Sequence, residues 1–239
     1  MTESTPTPMG LLVIDKPLRK TSMQVCAAVR AKLRAGGAPK RVKVGHAGTL
    51  DPLATGVLVV LIGKATKLQD RYMAGAKGYL AEVDLASVSR TDDMEGPIEP
   101  VDCNSIDRAA IEAVLPTFTG TIQQRPPAYS AMKINGRRAY ALARQAETDD
   151  DLPELKPRPV TIDSIETAAF DWPVLTLDIA CGKGTYIRSL ARDLGRALGT
   201  GGMLRALRRT RVGPWTLDHA VSLDDLPGEL RADHLRPVS

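Results

Sequence analysis

Gly45 to Ile62 reads GHAGTLDPLATGVLVVLI. Two kinds of structure are written into it. Gly56 to Ile62 is a short continuous apolar run, which predicts a buried strand. The residues before it form a loop in which each residue type has its own task. Gly45, Gly48 and Gly56 let the backbone turn or approach a ligand closely. Pro52 fixes the backbone after Asp51 and biases Asp51 toward an extended conformation. Asp51 is the first acid after a 35-residue stretch, Lys16 to Leu50, that holds nine Lys/Arg and no Asp or Glu. Nearby cations favour the ionised carboxylate, and an ionised, rigidly held carboxylate is a competent nucleophile or base. The same residue also fits an Asx-turn, in which Asp only accepts from neighbouring backbone N–H groups. Spacing alone does not separate the two.

Upstream of this stretch, Leu11 to Ile14 has a buried-strand pattern and runs into Asp15-Lys16-Pro17. Thr21 or Ser22 caps a predicted helix over about residues 23–34, and Gly36-Gly37 ends it. Downstream, a helix is predicted from about Ala65. Tyr79, Ala81, Val83 and Leu85 alternate with polar neighbours and predict a strand. Arg90 to Pro100 reads as a turn-rich acidic loop. Ser105 is the predicted cap of a helix to about Leu115, with Ile106, Ala109 or Ala110, Ala113 and Val114 inward. Arg137 to Ala146 reads as a helix and Asp149 to Pro159 as a linker. Val160 to Ala168 and Val174 to Cys181 read as strands. Tyr186 to Leu198 reads as a helix with Ile187, Leu190, Ala191, Leu194 and Leu198 inward. Leu204 to Val212 is a very basic strand or turn, and Ser222 starts a last short helix. Strands and helices alternate irregularly, with no βαβ repeat and no internal duplication. The expected fold class is α+β, with a central, mostly antiparallel mixed sheet flanked by helices.

The chain has 239 residues, 43% hydrophobic and 25% charged, which suits one large domain or two small ones with a real core. Nine aromatics, 4% of the chain, disfavour a binding mode built on many stacked rings. The net charge of +4 hides a segregation. Lys16–Leu50, Thr121–Ala146 and Gly182–Leu217 together carry +21, so the remainder carries −17. That split fits a polyanion-facing surface with an acidic exterior, and also fits separate solvated helix faces. Cys26, Cys103 and Cys181 form no CxxC pair, and His46, His219 and His234 have no metal-ligand spacing. No secretory signal or membrane-length apolar run is visible, and the expected compartment is the cytoplasm. Nucleotide-cofactor motifs are absent.

Other segments carry chemistry-bearing residues. Cys181 to Arg188, CGKGTYIR, places a glycine turn before a helix N-terminus, where anions bind. Arg188, Arg192 and Arg196 recur every four residues opposite the apolar face. They read as a solvated ridge or as phosphate contacts with one Arg turned inward. Arg205, Arg208, Arg209 and Arg211 crowd one segment, which would repel itself without an anionic partner. Tyr79 reads as core or catalytic, and His46 as a turn cap or a base-stacking group.

Taken together, these pieces resemble the TruB family of tRNA pseudouridine synthases. The matching motifs occur in family order: DKP (Asp15 to Pro17), GHAGTLDPLATG, GYLAEV (Gly78 to Val83), RTDDMEG (Arg90 to Gly96), QRPPAYSAMKINGRRAY (Gln124 to Tyr140), GTYIRSLARDLG (Gly184 to Gly195) and LRRTRVG (Leu207 to Gly213). The resemblance implies the pseudouridine synthase fold with an RNA-binding cleft. It also implies isomerisation of uridine 55 in the T loop of tRNA by base flipping, glycosidic cleavage and reattachment through C5. No metal or cofactor takes part in that reaction. Asp51 stands at the catalytic aspartate, acting at C1′ or C2′ of the ribose. Tyr79 matches the tyrosine that stacks on the flipped base, and Arg188 the arginine that pairs with the aspartate. His46 matches a histidine that fills the space the nucleotide vacates. Tyr186 and Leu207 match pocket residues, and Lys16 a lysine near the active-site loop, structural or substrate-binding. Arg208 and Arg209 are expected to meet RNA. The partner implied is the tRNA T stem-loop, with no membrane; the sequence is silent on oligomeric state, and a monomer is the expectation.

Some segments depart from the family pattern. Leu18-Arg19-Lys20 replaces a Gly-containing loop, and Arg90 to Gly96 is shorter than usual. The expected organisation is a tail at 1–9, a catalytic domain at 10–226 and a short tail at 227–239 without a complete PUA domain. Two other classes remain to be weighed: a non-catalytic tRNA-binding or folding protein on the same scaffold, and a metal-dependent nuclease. The nuclease needs carboxylates clustered around Asp51.

Overall fold

The computed structural model describes residues 7–130, 132–134, 136–146, 148, 151–153 and 155–238. The chain divides into two compact units, one running up to Gly78 and resuming at Arg208, the other spanning Tyr79–Leu207. The predicted linker at 149–159 lies inside the second unit, and its residues 149, 150 and 154 fall outside the described ones. So do residues 1–6 of the expected N-terminal tail.

The first unit opens with β1 (Gly10–Lys16), α1 (Ser22–Ala35), β2 (Val44–His46) and β3 (Ala54–Ile62). A 3-10 turn over Gly63–Leu68 runs into α2 (Gln69–Ala74), where one continuous helix was expected. β4 (Lys77–Asp84) leads into the second unit, which holds β5 (Ser87–Ser89), β6 (Ile98–Pro100), α3 (Arg108–Val114) and β7 (Gly120–Gln124). There follow β8 (Lys133–Ile134), β9 (Arg137–Arg138), α4 (Ala139–Ala143), β10 (Arg158–Asp171), β11 (Val174–Cys181) and α5 (Ile187–Leu198). β12 (Met203–Val212) is common to both units; β13 (Trp215–Thr216) and β14 (Val221–Ser222) complete the first.

Ten strands belong to a mixed sheet, so the expected α+β class holds. In the first unit the order is β14-β1-β3-β12, with β2 on β3 and β13 on β12; in the second it is β12-β4-β11-β10-β7. β1 pairs antiparallel with β3 along its whole length and parallel with β14.

The unbroken apolar reading of β3 has a simple cause: both of its faces are covered. Leu58, Val60 and Ile62 pack with Leu12 and Ile14 of β1 against Val25, Cys26, Val29 and Leu33 of α1. Val57, Val59 and Leu61 pack on the other side with Leu11, Val13, Ala65 and Val212. Alternation therefore persists in direction, though not in polarity. Leu58 is 0% exposed. Leu58→Ala is expected to lower stability by about 3 kcal/mol, as for other buried Leu→Ala changes, read from the urea midpoint. A loss under about 1 kcal/mol would contradict this packing.

Local chemistry sets the element ends. Thr21 caps α1, with Gln24 returning the bond in a capping box. Gly199, in the left-handed conformation, closes α5. Three further predicted elements differ. Asp107, rather than Ser105, caps α3, and the buried residue of that helix is Ile111. Arg137 and Arg138 pair with Lys133 and Ile134, so the helix is confined to α4. Val221 and Ser222 pair with Ile14 and Asp15, and the Ser222 hydroxyl accepts from Asp224 N in a turn, so no helix starts there. The chain after Leu226 is laid over the first unit. Lys32 Nζ donates to the Leu226 and Pro227 carbonyls, Leu230 is 1% exposed in the core, and Leu11 bridges Arg236.

Candidate active site

The loop between β2 and β3 carries Asp51, and backbone contacts hold it from three directions. Ser22 at the start of α1 donates to the Leu50 carbonyl at 3.1 Å and accepts from Leu50 N at 2.9 Å. Arg209 of β12 donates to the carbonyls of Val57 (2.8 Å), Gly48 (3.1 Å) and Thr49 (3.4 Å). Lys16 at the end of β1 donates to the carbonyls of Pro17 (2.9 Å), Lys20 (2.5 Å) and Pro52 (3.3 Å). Gly56 is required where the loop ends: at φ +99, a Cβ there would sit 2.2 Å from the Arg209 carbonyl.

Two of the residues expected near the substrate are sealed in: Lys16 is 0% exposed and Arg209 1%. A buried cation needs partners, and here the loop's own carbonyls supply them. Arg208 points elsewhere, to Asp15 at 2.7 Å, and stays partly exposed. Asp51 itself is half-buried. Burial pushes the Lys16 ammonium down to about 8, with Asp51 opposing the shift and Arg209 reinforcing it. His46 of β2 is also lowered, by burial and then by Arg209, which favours the neutral ring. Its Nδ1 is buried without a hydrogen-bond partner among the described residues.

The Lys16 shift has a consequence for activity. Below pH 8 the ammonium holds the loop and places a positive charge beside Asp51; as pH rises through about 8 that charge is lost. The rate is therefore expected to fall across that range. In Lys16→Arg, whose guanidinium stays charged, the fall should vanish. A variant and wild type with the same alkaline limb would contradict this.

The second unit carries the other predicted residues. Tyr79 lies in β4 and is 8% exposed. Arg188 sits in the first turn of α5 and is buried. Its Nε lies 3.5 Å from Asp93 Oδ2, and its two terminal nitrogens donate to the Thr91 (3.1 Å) and Tyr129 (3.0 Å) carbonyls. Both side chains of the Arg188–Asp93 pair are 7% exposed. Tyr186 occupies the N-cap position of α5. Its N–H donates to Gln124 Oε1 and its carbonyl accepts from Gln124 Nε2. The Arg158 guanidinium lies 5.4 Å from the centre of its ring. Leu207 is half-buried in β12.

The structure thus gathers Asp51, Lys16, Arg209 and His46 around one loop, and Arg188 and Tyr186 around the start of α5. Sequence reasoning missed Ser22 as a loop holder, since it counted only as a possible cap, and missed Asp93 and Gln124 inside quoted motifs. No group of three or more His, Cys, Asp or Glu among the described residues is placed to hold a metal. No helix among them is long and apolar enough to cross a membrane.

The fold matches the crystal structure of a Cbf5-Nop10-Gar1 complex with a TM-score of 0.69 and 30% identity, over 91% of this chain. The chain spans about half, 53%, of that longer one. Fold and sequence place the chain among pseudouridylate synthases, which are isomerases. Residues 36–187 match the model of the TruB family pseudouridylate synthase N-terminal domain, and residues 188–237 that of the tRNA pseudouridylate synthase B C-terminal domain. The chain therefore belongs to the TruB family. A Parabacteroides distasonis protein named tRNA pseudouridine synthase B is 46% identical over 217 residues, 90% of this chain and 91% of its own length. A Streptomyces griseus protein of that name is 47% identical over 240 residues, 96% of this chain and 77% of its own.

Proposed function

We propose that this protein isomerises uridine to pseudouridine in the T loop of tRNA, at position 55, with Asp51 as the reacting carboxylate. The observation that carries the reading is the Asp51 loop itself. Ser22, Lys16 and Arg209 fix its backbone without exposing either cation, which is what a carboxylate that must meet a sugar carbon at a set angle requires. A pure RNA binder gains nothing from two sealed cations holding one acidic loop.

In this reading the target base is flipped out of the loop, at a cost of a few kcal/mol. Tyr79 stacks on it, Tyr186 and Leu207 line its pocket, and His46 fills the space it leaves. Asp51 acts on the ribose, the N1–C1′ bond breaks, the uracil turns, and C5 bonds to C1′. C5 then gives up its proton and N1 gains one, so the product is an isomer of the substrate. Arg188 supplies the guanidinium of the active centre. Its planar fork, already set by Asp93 and two carbonyls, costs little to organise on substrate binding.

Release of tritium from tRNA labelled at uridine C5 tests the reading. One equivalent released per tRNA, in the presence of a chelator, is expected. Tight binding without release would instead indicate the non-catalytic folding protein, and release abolished by the chelator a metal-dependent reaction.

A further inference from the structure

Arg192 lies one turn beyond Arg188 on α5, and the sequence left it either on a solvated ridge or among phosphate contacts. In the structure its side chain is 14% exposed and fully engaged. It donates to Asp92 Oδ2 at 2.8 Å, to Asp193 Oδ1 at 3.0 Å and to the Arg125 carbonyl at 2.8 Å. Two of these partners belong to the segments that hold Arg188. Asp92 lies between Thr91, whose carbonyl accepts from Arg188, and Asp93, whose carboxylate pairs with it. Arg125 lies four residues before Tyr129, whose carbonyl also accepts from Arg188. The two arginines therefore grip the same pair of segments.

Asp92 makes this grip consequential. Its φ is +59, in the left-handed region that costs a non-glycine residue strain. Leu204 N donates to its carbonyl at 2.9 Å. Burial pushes its carboxyl up, and Arg192 and then Arg188 oppose that shift. Arg188 thus acts on Asp92 as well as on Asp93, while Arg192 holds Asp92 directly.

We propose that Arg192 is a positioning residue: by holding Asp92 and the Arg125 carbonyl it fixes the segments that orient Arg188 and keeps the Asp92 carboxylate from competing with Asp93 for it. The proposal rests on the reading of Arg188 as part of the active centre. Without Arg192, a buried carboxylate is left uncompensated, and the other arginine that acts on it is Arg188.

The test compares wild type, Arg192→Gln and the double variant Arg192→Gln/Asp92→Asn, each as the full chain. Three quantities are read: single-turnover pseudouridine formation, tRNA Kd, and the position of Arg188 in crystals. Arg192→Gln is expected to slow the reaction by roughly 10- to 100-fold, the scale of a small misplacement, with Kd within about 3-fold of wild type. In crystals its Arg188 should leave Asp93 for Asp92. The double variant removes the competing charge and should recover most of the rate and return Arg188 to Asp93. A general loss of packing would make the double variant worse, not better. Wild-type rate in Arg192→Gln, no recovery in the double variant, or an unmoved Arg188 would each overturn the proposal. A wild-type chain that forms no pseudouridine would overturn the functional reading alone, because the position of Arg188 is read without activity.

Discussion

Asp51→Asn is expected to bind tRNA and leave its uridine unconverted. The change is nearly isosteric, and the contacts that shape the loop survive it. The Asp51 carbonyl still accepts from Ala54 N, Ser22 still brackets Leu50, and Arg209 still holds Gly48 and Thr49. What is lost is the anion. An amide is a poor nucleophile and a poor base, so the rate should fall by more than about 10⁴-fold, the scale seen when a reacting group is removed from an enzyme. The tRNA Kd should stay within about 3-fold. Turnover within tenfold of wild type would sink the assignment of Asp51.

Arg209→Met gives the second large effect, and its character separates two roles. If Arg209 contacted RNA phosphate, its loss would weaken tRNA binding and reduce the salt slope by about one. The buried geometry predicts otherwise. Methionine fills the space but leaves three carbonyls without their donor, each at a cost of about 1–3 kcal/mol. The loop around Asp51 then relaxes, and a displacement near 1 Å costs about 10²-fold in rate. The expected outcome is lower thermal stability and a rate about 10²-fold down, with the salt dependence of binding unchanged. Arg209→Lys, which keeps the charge but cannot fork to three carbonyls, should lie between. A changed salt slope with normal stability would restore the phosphate role.

Much of the fold was legible because local signals agreed with burial. The apolar run from Gly56 to Ile62 read as a buried strand, and Thr21 or Ser22 as the start of a helix. What escaped were features set by distant partners. Arg209 looks like its neighbours Arg208 and Arg211 in sequence, because nothing local says that a chain turn 160 positions away offers carbonyls to it. The four-residue recurrence of Arg188, Arg192 and Arg196 left open a solvated ridge or phosphate contacts with one Arg turned inward. Asp92 and Asp93, about a hundred residues upstream, draw the first two inward and leave only Arg196 exposed. Arg137 and Arg138 suited a helix by propensity, yet pairing with Lys133 and Ile134 overrode it. Asp51 was singled out as a candidate by its isolation within a basic stretch and took its expected role from the family resemblance, while Asp93 was hidden in an acidic stretch.

The most direct measurement maps pseudouridine in an unmodified tRNA transcript after single-turnover incubation with wild-type protein and with Asp51→Asn, both in chelator. The account predicts one pseudouridine per tRNA, at position 55 of the T loop, with wild type and none with the variant. Conversion at another site, no conversion by wild type, or equal conversion by Asp51→Asn would contradict it.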